Sequence, residues 1–350
     1  MIGSSELLRG GGDNSIHISS IANNISVEDI FSAWRAFKKG KMNKRDVLLF
    51  AVNAEEHLHN LWNDIYMKRY NHGKYTTFEI ADPKLRTINK ATVRDRVIHH
   101  LIHMKLESVF EKGFIGDSYS SRKGKGVHKA LERFEYFAQH IACSNKKSVW
   151  TMKVDVRRFF DSVDHEILFV RISEKVFDEE LLWLIREVLD SFQITKGKGL
   201  PLGNLTSQLF ANVYLDICDQ YIKRGLGVKY YIRYADDMIF LSGNKGDLEQ
   251  YLQQLDVFLA TVLKVSLHPE KIIIRTWRQG VDILGYISYP YHKEIRTKTK
   301  RRIRHNLKIT NLLLREQKIS EEKCNQIIAS YRGRITHCWS NRLKIFLNLN

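Results

Sequence analysis

The stretch YYIRYADDMIF, residues 230–240, sets two adjacent carboxylates, Asp236 and Asp237, between runs of apolar and aromatic residues. Runs of that composition read as strands, so the acids mark the join of a hairpin. A tight hairpin turn ordinarily selects residues that tolerate positive φ, such as Asn-Gly or Asp-Gly. Ala235-Asp236-Asp237-Met238 supplies neither glycine nor asparagine, so turn chemistry alone does not account for the pair. Two carboxylates a few ångströms apart repel by about 1 to 3 kcal/mol between the dielectric of water and that of a protein surface. A divalent cation reverses that sign.

Mg²⁺ takes hard oxygen ligands in octahedral geometry and usually keeps some water, so a site needs two or three carboxylates and room for phosphate oxygens. The further acid has to come from another strand. Asp155 ends TMKVD, the other clearly β-rich segment, where a strand end in the same sheet can converge on the hairpin turn. Two metals held by Asp155 and Asp236 stabilise the attacking and departing oxygens of an in-line phosphoryl displacement. Lys271 follows the next helix and is positioned to neutralise or protonate a polyphosphate leaving group. The alternative is a solvated acidic turn and an unrelated strand-end Asp.

The chain reads as an α+β protein. Ser26 and Asp29 form a capping-box pattern ahead of Ile30, Trp34 and Phe37. A second helical face runs from Asp46 to about Arg69, then a hairpin folds around the Asp-Pro of ADPK, and two helices end near Glu111 and Ala142. From residue 148 the order is β, αα, α, ββ, α, ββ, with KIIIRTW and VDILGYIS each read as one strand; this suggests a sheet with helices on one face. The last 55 residues read as helices. They open with KEIRTKTKRRIRHNLK, which carries eight Lys or Arg and one acid. The formal charge of the chain is +17, which attracts polyanions, nucleic acid foremost. Arg301, Arg304 and Lys308 fall on one helical face, spaced to track phosphates, and the basic loop SRKGKG, with Arg122 and Lys125, suits a template backbone. Four dispersed cysteines suggest neither a zinc ribbon nor disulfides and fit a reducing cytoplasm. No apolar run approaches the roughly 18 residues that span a bilayer, so no membrane is expected, and the first 20 or so residues are expected to be mobile. His99, His103 and Glu107 recur one helical turn apart, the spacing of an incomplete zinc site or of a polar face against nucleic acid.

MKVDVRRFFDSVDH, GLPLGNLTSQLFANVYLD, YIRYADDMIFL, HPEKIII and DILGYI resemble, in order and spacing, the motifs of reverse transcriptases of the group II intron and retron kind, over about residues 75–340. The resemblance implies a right-hand polymerase: N-terminal helices and fingers over 26–147 after a flexible 1–25, a palm with an antiparallel sheet over 148–290, and a basic helical thumb over 291–350. It implies an RNA-directed DNA polymerase dependent on Mg²⁺ (Mn²⁺ serving in vitro). The metal ligands map onto Asp155, the Val156 carbonyl and Asp236, with Asp237 beside them. Phe160 falls where the family keeps an aromatic that blocks a ribose 2′-OH, although a core phenylalanine would look the same. Arg86 aligns with a fingers arginine that contacts the triphosphate, or is a solvated hairpin residue. Leu284 and Gly285 fall in the segment that supports the primer end.

A narrower resemblance rests on the loop at 202–208. Most such enzymes carry Gln before the motif glycine and Ser-Pro at its end, where this chain has Leu202, Gly203 and Ser207-Gln208. With RDRVIHHLI and FIGDSYSSRKGKGVHKA, this is similar to reverse transcriptases of diversity-generating retroelements, with Ser121 standing where cysteine is expected. That likeness implies template RNA, a primer or cDNA strand, dNTPs and a basic accessory protein as partners, adenine-directed errors, and a cytoplasmic setting in a bacterial, archaeal or phage system. The alternatives are an intron or retron-like enzyme of ordinary fidelity, which often carries a maturase or endonuclease extension not expected here, and a polymerase-derived nucleic-acid-binding defence protein.

Overall fold

The computed structural model describes residues 25–81, 85–144, 146–336 and 338. The expected N-terminal tail through residue 24 and the Asp-Pro turn at 82–84 lie outside them. Helix α1 (Val27–Lys38) starts at the expected capping box: the Ser26 hydroxyl accepts from the Asp29 amide at 3.1 Å, and the Asp29 carboxylate accepts from the Ser26 amide at 3.1 Å. The long helix expected over 46–69 is two, α2 (Arg45–Val52) and α3 (Ala54–Tyr66), broken at Asn53, whose φ of −119° and ψ of 38° leave the helical region. Asn is a weak helix former, and the apolar periodicity ran on across the break. Strands β1 (Thr76–Ile80) and β2 (Arg86–Lys90) make a separate antiparallel pair. Helices α4 (Val93–Phe110) and α5 (Val127–Ala142) follow.

The central sheet begins with β3 (Trp150–Asp155). After the short α6 (Phe159–Ser162) come α7 (His165–Ser173), α8 (Glu179–Asp190) and α9 (Leu205–Gln220). Strands β4 (Tyr231–Tyr234) and β5 (Asp237–Ser242) form the hairpin, then α10 (Lys245–Thr261) and β6 (Ile273–Thr276). The strand order is β4-β5-β3-β6, antiparallel throughout. Alternation along the strands sorts the two faces. Met152, Val154, Tyr231, Met238 and Phe240 enter the main core with α9 and α10, while Ile232, Ile239 and Leu241 enter a second core with α5. On that second face, Lys153, Asp155 and Asp237 line an open cavity.

VDILGYIS, read as one strand, is a hairpin: β7 (Val281–Ile283) and β8 (Tyr286–Ser288) pair around Leu284 (φ 51°) and Gly285 (φ 93°). Two consecutive left-handed residues make the two-residue turn whose twist suits adjoining strands; a Leu-Gly pair lacks the usual signature, so the alternation masked it. Strand β9 (Lys293–Ile295) adds to β8, giving a three-stranded sheet that runs across residue 290. Helices α11 (Thr297–Arg315) and α12 (Glu321–Ile335) close the described chain. Among the described residues no helix is long and apolar enough to cross a membrane.

Candidate active site

The β3–β5 register sets Asp155 opposite Asp237, and paired residues in an antiparallel ladder lie about 4.5 to 5.5 Å apart at Cα. The next pair outward would be Val156 and Asp236. Backbone hydrogen bonds agree with this: the Asp155 carbonyl accepts from His268 at 2.8 Å and the Arg157 amide donates to Ser266 at 2.9 Å. The intervening Val156 carbonyl therefore faces the other edge of its strand, toward the Asp236 turn. Burial pushes the Asp236 carboxyl up to about 6, helped by the negative charge of Asp155 and, less, of Asp237; Lys271 works against the rise. Asp236 thus sits in a cluster with surplus negative charge.

Two lysines offset part of it. The Lys271 ammonium donates to Asp155 Oδ1 at 2.6 Å, and Lys153 lies 3.1 Å from Asp237 Oδ1. Among the described residues no group of three or more His, Cys, Asp or Glu side chains is arranged to hold a metal ion. The available set is Asp155, Asp236 and the Val156 carbonyl, all hard oxygen donors, and it fits an oxygen-seeking divalent cation that keeps its own water.

The turn carrying Asp236 has two central residues, Ala235 and Asp236, closed by the Tyr234–Asp237 pair. Ala235 sits at φ 53°, a left-handed conformation that costs a residue with a Cβ about 1 to 2 kcal/mol. Buried groups hold it. Arg233, wholly buried, donates through Nη1 to the Ala235 carbonyl at 3.1 Å and to Asn212 Oδ1 at 3.0 Å. Its Nε donates to both Asp219 oxygens at 2.9 Å. The sequence reading missed Arg233, Asp219 and Lys153. The available signal was charge in apolar segments: an arginine inside YYIRY and aspartates inside ANVYLDICDQ.

Three of the segments expected on the nucleotide side, those of Arg86, Phe160 and Leu202–Gly203, are joined by hydrogen bonds. Leu200 donates to the Phe160 carbonyl at 2.7 Å, and Asn89 of β2 donates to the Leu202 carbonyl at 2.9 Å. Asn204 then donates to the Asn89 carbonyl at 2.8 Å. The strand that opens with exposed Arg86, the short helix of Phe160 and the Leu202–Gly203 loop are thereby joined. Phe160 is half-buried and edge-on to Phe159, with 5.7 Å between ring centroids. Gly203 has φ 109°, and a Cβ there would meet Ile88 Cγ2 at 2.6 Å. Gly203→Ala is expected to destabilise the protein by about 1 to 3 kcal/mol through overpacking and strain, read as a lower urea midpoint at unchanged slope. Gln208 is exposed at the start of α9, and its Oε1 accepts from Ser121 at 3.1 Å.

Three expectations need correction. Arg122 is bound within the fold: it is ion-paired to Glu111 at 2.8 Å and donates to the carbonyls of Ile115 at 2.7 Å and Ser118 at 2.9 Å. With its side chain 6% exposed, it staples the loop and does not present itself to a template. Lys125, half-buried, donates to the Gly116 carbonyl at 2.7 Å and sits over the Tyr119 ring. His99 forms neither a zinc site nor a polar surface; it is buried between Thr206 Oγ1 at 2.6 Å and His72 Nε2 at 3.2 Å, and burial lowers its pKa to about 3.

A cavity of about 480 Å³ opens over Asp155, Asp237, Lys153, Lys271 and Arg275. A second, of about 630 Å³, runs from Asp237 past Leu284 and Gly285 to Arg296, Arg301 and Arg334. Arg301, Arg304 and Lys308 are exposed along α11, whose other face buries Ile303 and Leu307.

The sequence model of one family, described as reverse transcriptase (RNA-dependent DNA polymerase), matches residues 71–288. Among curated proteins, the chain is 25% identical to protein YkfC of Escherichia coli over 59% of its own length and 64% of the relative's. It is 24% identical to the group II intron-encoded protein LtrA of Lactococcus lactis subsp. cremoris, over 58% and 44%. The chain spans less than two thirds of the length of these curated relatives. Among solved structures, apo telomerase from Candida tropicalis, truncated from its C-terminal domain, aligns with a TM-score of 0.49 at 13% identity, covering 68% of this chain and 60% of that one.

Proposed function

The chain belongs to the reverse transcriptase (RNA-dependent DNA polymerase) family, and from that premise we propose that it is an RNA-directed DNA polymerase whose catalytic acids are Asp155 and Asp236, with Asp237 beside them. The observation that carries the reading is the β3–β5 register, which aligns Asp155 with the acidic turn, where burial and then the Asp155 charge raise the Asp236 pKa. Asp155, Asp236 and the Val156 carbonyl would hold Mg²⁺, or Mn²⁺ in vitro, which supplies charge stabilisation to the attacking and departing oxygens. The protein orients the rest. Lys271, already beside Asp155, is positioned to transfer its contact to the polyphosphate as pyrophosphate leaves, and Phe160 excludes a ribose 2′-OH. Arg86 reaches the triphosphate from the fingers, residues 26–147. Leu284 and Gly285, at a hairpin tip on the second cavity, support the primer end in the palm, residues 148–290. Arg301, Arg304 and Lys308 track the duplex from the thumb, residues 291–350. The partners on this reading are template RNA, a primer or cDNA strand and dNTPs.

The finer reading is a diversity-generating retroelement enzyme making adenine-directed errors with a basic accessory protein. It is supported by Leu202 and Ser207-Gln208, where most relatives carry Gln and Ser-Pro. Leucine cannot supply the hydrogen bond that glutamine offers to sugar or template backbone, so a restraint on the nascent pair is missing. Leu202→Gln is expected to lower misincorporation opposite template adenine by up to about tenfold, the worth of one hydrogen bond. Unchanged error in sequenced products would remove the claim. The likeness to LtrA favours a second reading, a group II intron-like enzyme of ordinary fidelity.

Primer extension on a defined RNA with four dNTPs and Mg²⁺, followed by product sequencing, tests these readings. Errors confined to adenines support the first, and faithful copying supports the second. Absence of extension, even with accessory protein and native RNA, leaves a polymerase-derived binding module.

A further inference from the structure

Ala235 is the weak point of the proposed site: a residue with a Cβ held at φ 53° immediately before Asp236. Left alone, such a turn relaxes toward ordinary backbone, and the Asp236 carboxylate moves with it. Glycine would adopt this conformation without steric cost, yet the chain has alanine. Something else has to hold the turn.

The groups that do so are buried and ionic. Arg233 and Asp219 are each fully buried. The guanidinium Nε donates to both Asp219 oxygens, and Nη2 lies 2.7 Å from Oδ2, in ion-pair contact though out of line for a hydrogen bond. Asp219 also accepts from the Tyr231 hydroxyl at 2.7 Å. What remains of the guanidinium is aimed at the turn, Nη1 reaching the Ala235 carbonyl at 3.1 Å and Asn212 Oδ1 at 3.0 Å. Asn212 passes the link on, donating through Nδ2 to the Ser120 carbonyl at 3.0 Å. The backbone of Arg233 is clamped too: its amide donates to Asp117 at 3.0 Å and its carbonyl accepts from Tyr119 at 2.9 Å.

A buried ion pair is weak evidence for stability, since apolar residues of similar volume often serve as well. A pair retained beside a strained turn has a more specific use. We propose that Arg233, oriented by Asp219 and Asn212, is a positioning residue that holds Ala235 in its left-handed conformation and thereby fixes the Asp236 carboxylate against Asp155. The inference rests on the proposed catalytic reading for its effect on rate; its effect on the turn is independent of it. Lysine cannot replace the arginine, because a point charge on a flexible stem cannot serve Asp219, Asn212 and Ala235 at once.

The test pairs Arg233→Lys with Arg233→Lys/Ala235→Gly. Arg233→Lys is expected to raise amide hydrogen exchange across Tyr234–Asp237 in the protein free of metal and nucleic acid, while α10 exchanges as before. Primer extension should fall about 100-fold, the scale of a misplacement of about 1 Å at a reacting centre. Ala235→Gly in that background should restore at least tenfold of the loss, because glycine no longer needs the restraint. Turn exchange that is unchanged in Arg233→Lys, or no restoration by glycine, overturns the proposal, since a residue that only supports folding is not rescued by a backbone change two positions away. If Arg233→Lys does not fold, Asn212→Ala carries the test: exchange across the turn must rise while α10 is unaffected, and equal exchange overturns it. If the wild-type protein extends no primer, the catalytic reading fails and the exchange measurement still decides this one.

Discussion

Replacing Asp236 with asparagine is expected to lower RNA-directed DNA synthesis by about 10³-fold or more, the scale seen when one preorganised electrostatic group is lost. In the metal-free protein at neutral pH the same change should raise stability by about 2 kcal/mol, allowing for some solvent screening. Both effects follow from one placement. The folded protein raises the Asp236 carboxyl to about 6, from an ordinary value of 3.8, mainly by burial and then by the Asp155 charge. Below about pH 4 the group is protonated in both states and costs nothing. As pH rises from about 4 to 6, the unfolded chain gives up its proton first, and stability is lost. Asparagine does not titrate, so the advantage of the variant should be near zero at pH 4, grow through pH 5 and level off above pH 6. Urea unfolding in EDTA at several pH values measures this, and Mg²⁺ should selectively recover stability for the wild-type chain. A variant no more stable than wild type at pH 8 would mean that Asp236 is not buried beside Asp155. A variant that still polymerises would remove Asp236 from the chemistry.

The convergence of the candidate site was legible because its residues combine unusual chemistry with regular spacing. Adjacent acids between two apolar runs have few structural uses, and Asp155 closes the other β-rich segment; the register then aligns these strand ends. The capping box at Ser26 was legible for a similar reason, since its signature is local. Features set by tertiary partners were not. VDILGYIS alternates like a single strand, and only the positive φ of Leu284 and Gly285 folds it back. The helix expected over 46–69 kept its apolar stripe across a backbone break at Asn53. Arg122 looked like a phosphate contact because composition shows charge and not exposure, yet Glu111 and two carbonyls use it up. Arg233 was passed over for the converse reason: nothing local says that an arginine in a strand will meet Asp219 on a helix that precedes it.

That contrast separates the two kinds of arginine in a single experiment on nucleic-acid binding. Arg301, Arg304 and Lys308 are exposed on one face of α11, and the other face packs through Ile303 and Leu307. Changing all three to alanine removes about three phosphate contacts without opening the core. Each contact releases close to one counterion from duplex nucleic acid, so the slope of log K against log salt should become shallower by about 3. Relative to 1 M salt, three fewer counterions weaken binding at 0.1 M by up to about 1,000-fold, and a loss of roughly 10- to 1,000-fold is expected with little change in the unfolding midpoint. Arg122→Ala should behave oppositely. It leaves Glu111 and two carbonyls without their donor, costing about 1 to 3 kcal/mol of stability, while the salt slope for a primer–template duplex stays close to that of the wild type. Equal slopes in the triple variant and the wild type would take α11 out of the nucleic-acid path and leave its charge as a solvated face. A slope reduced by about 1 in Arg122→Ala would restore that arginine to the interface from which its internal bonds exclude it.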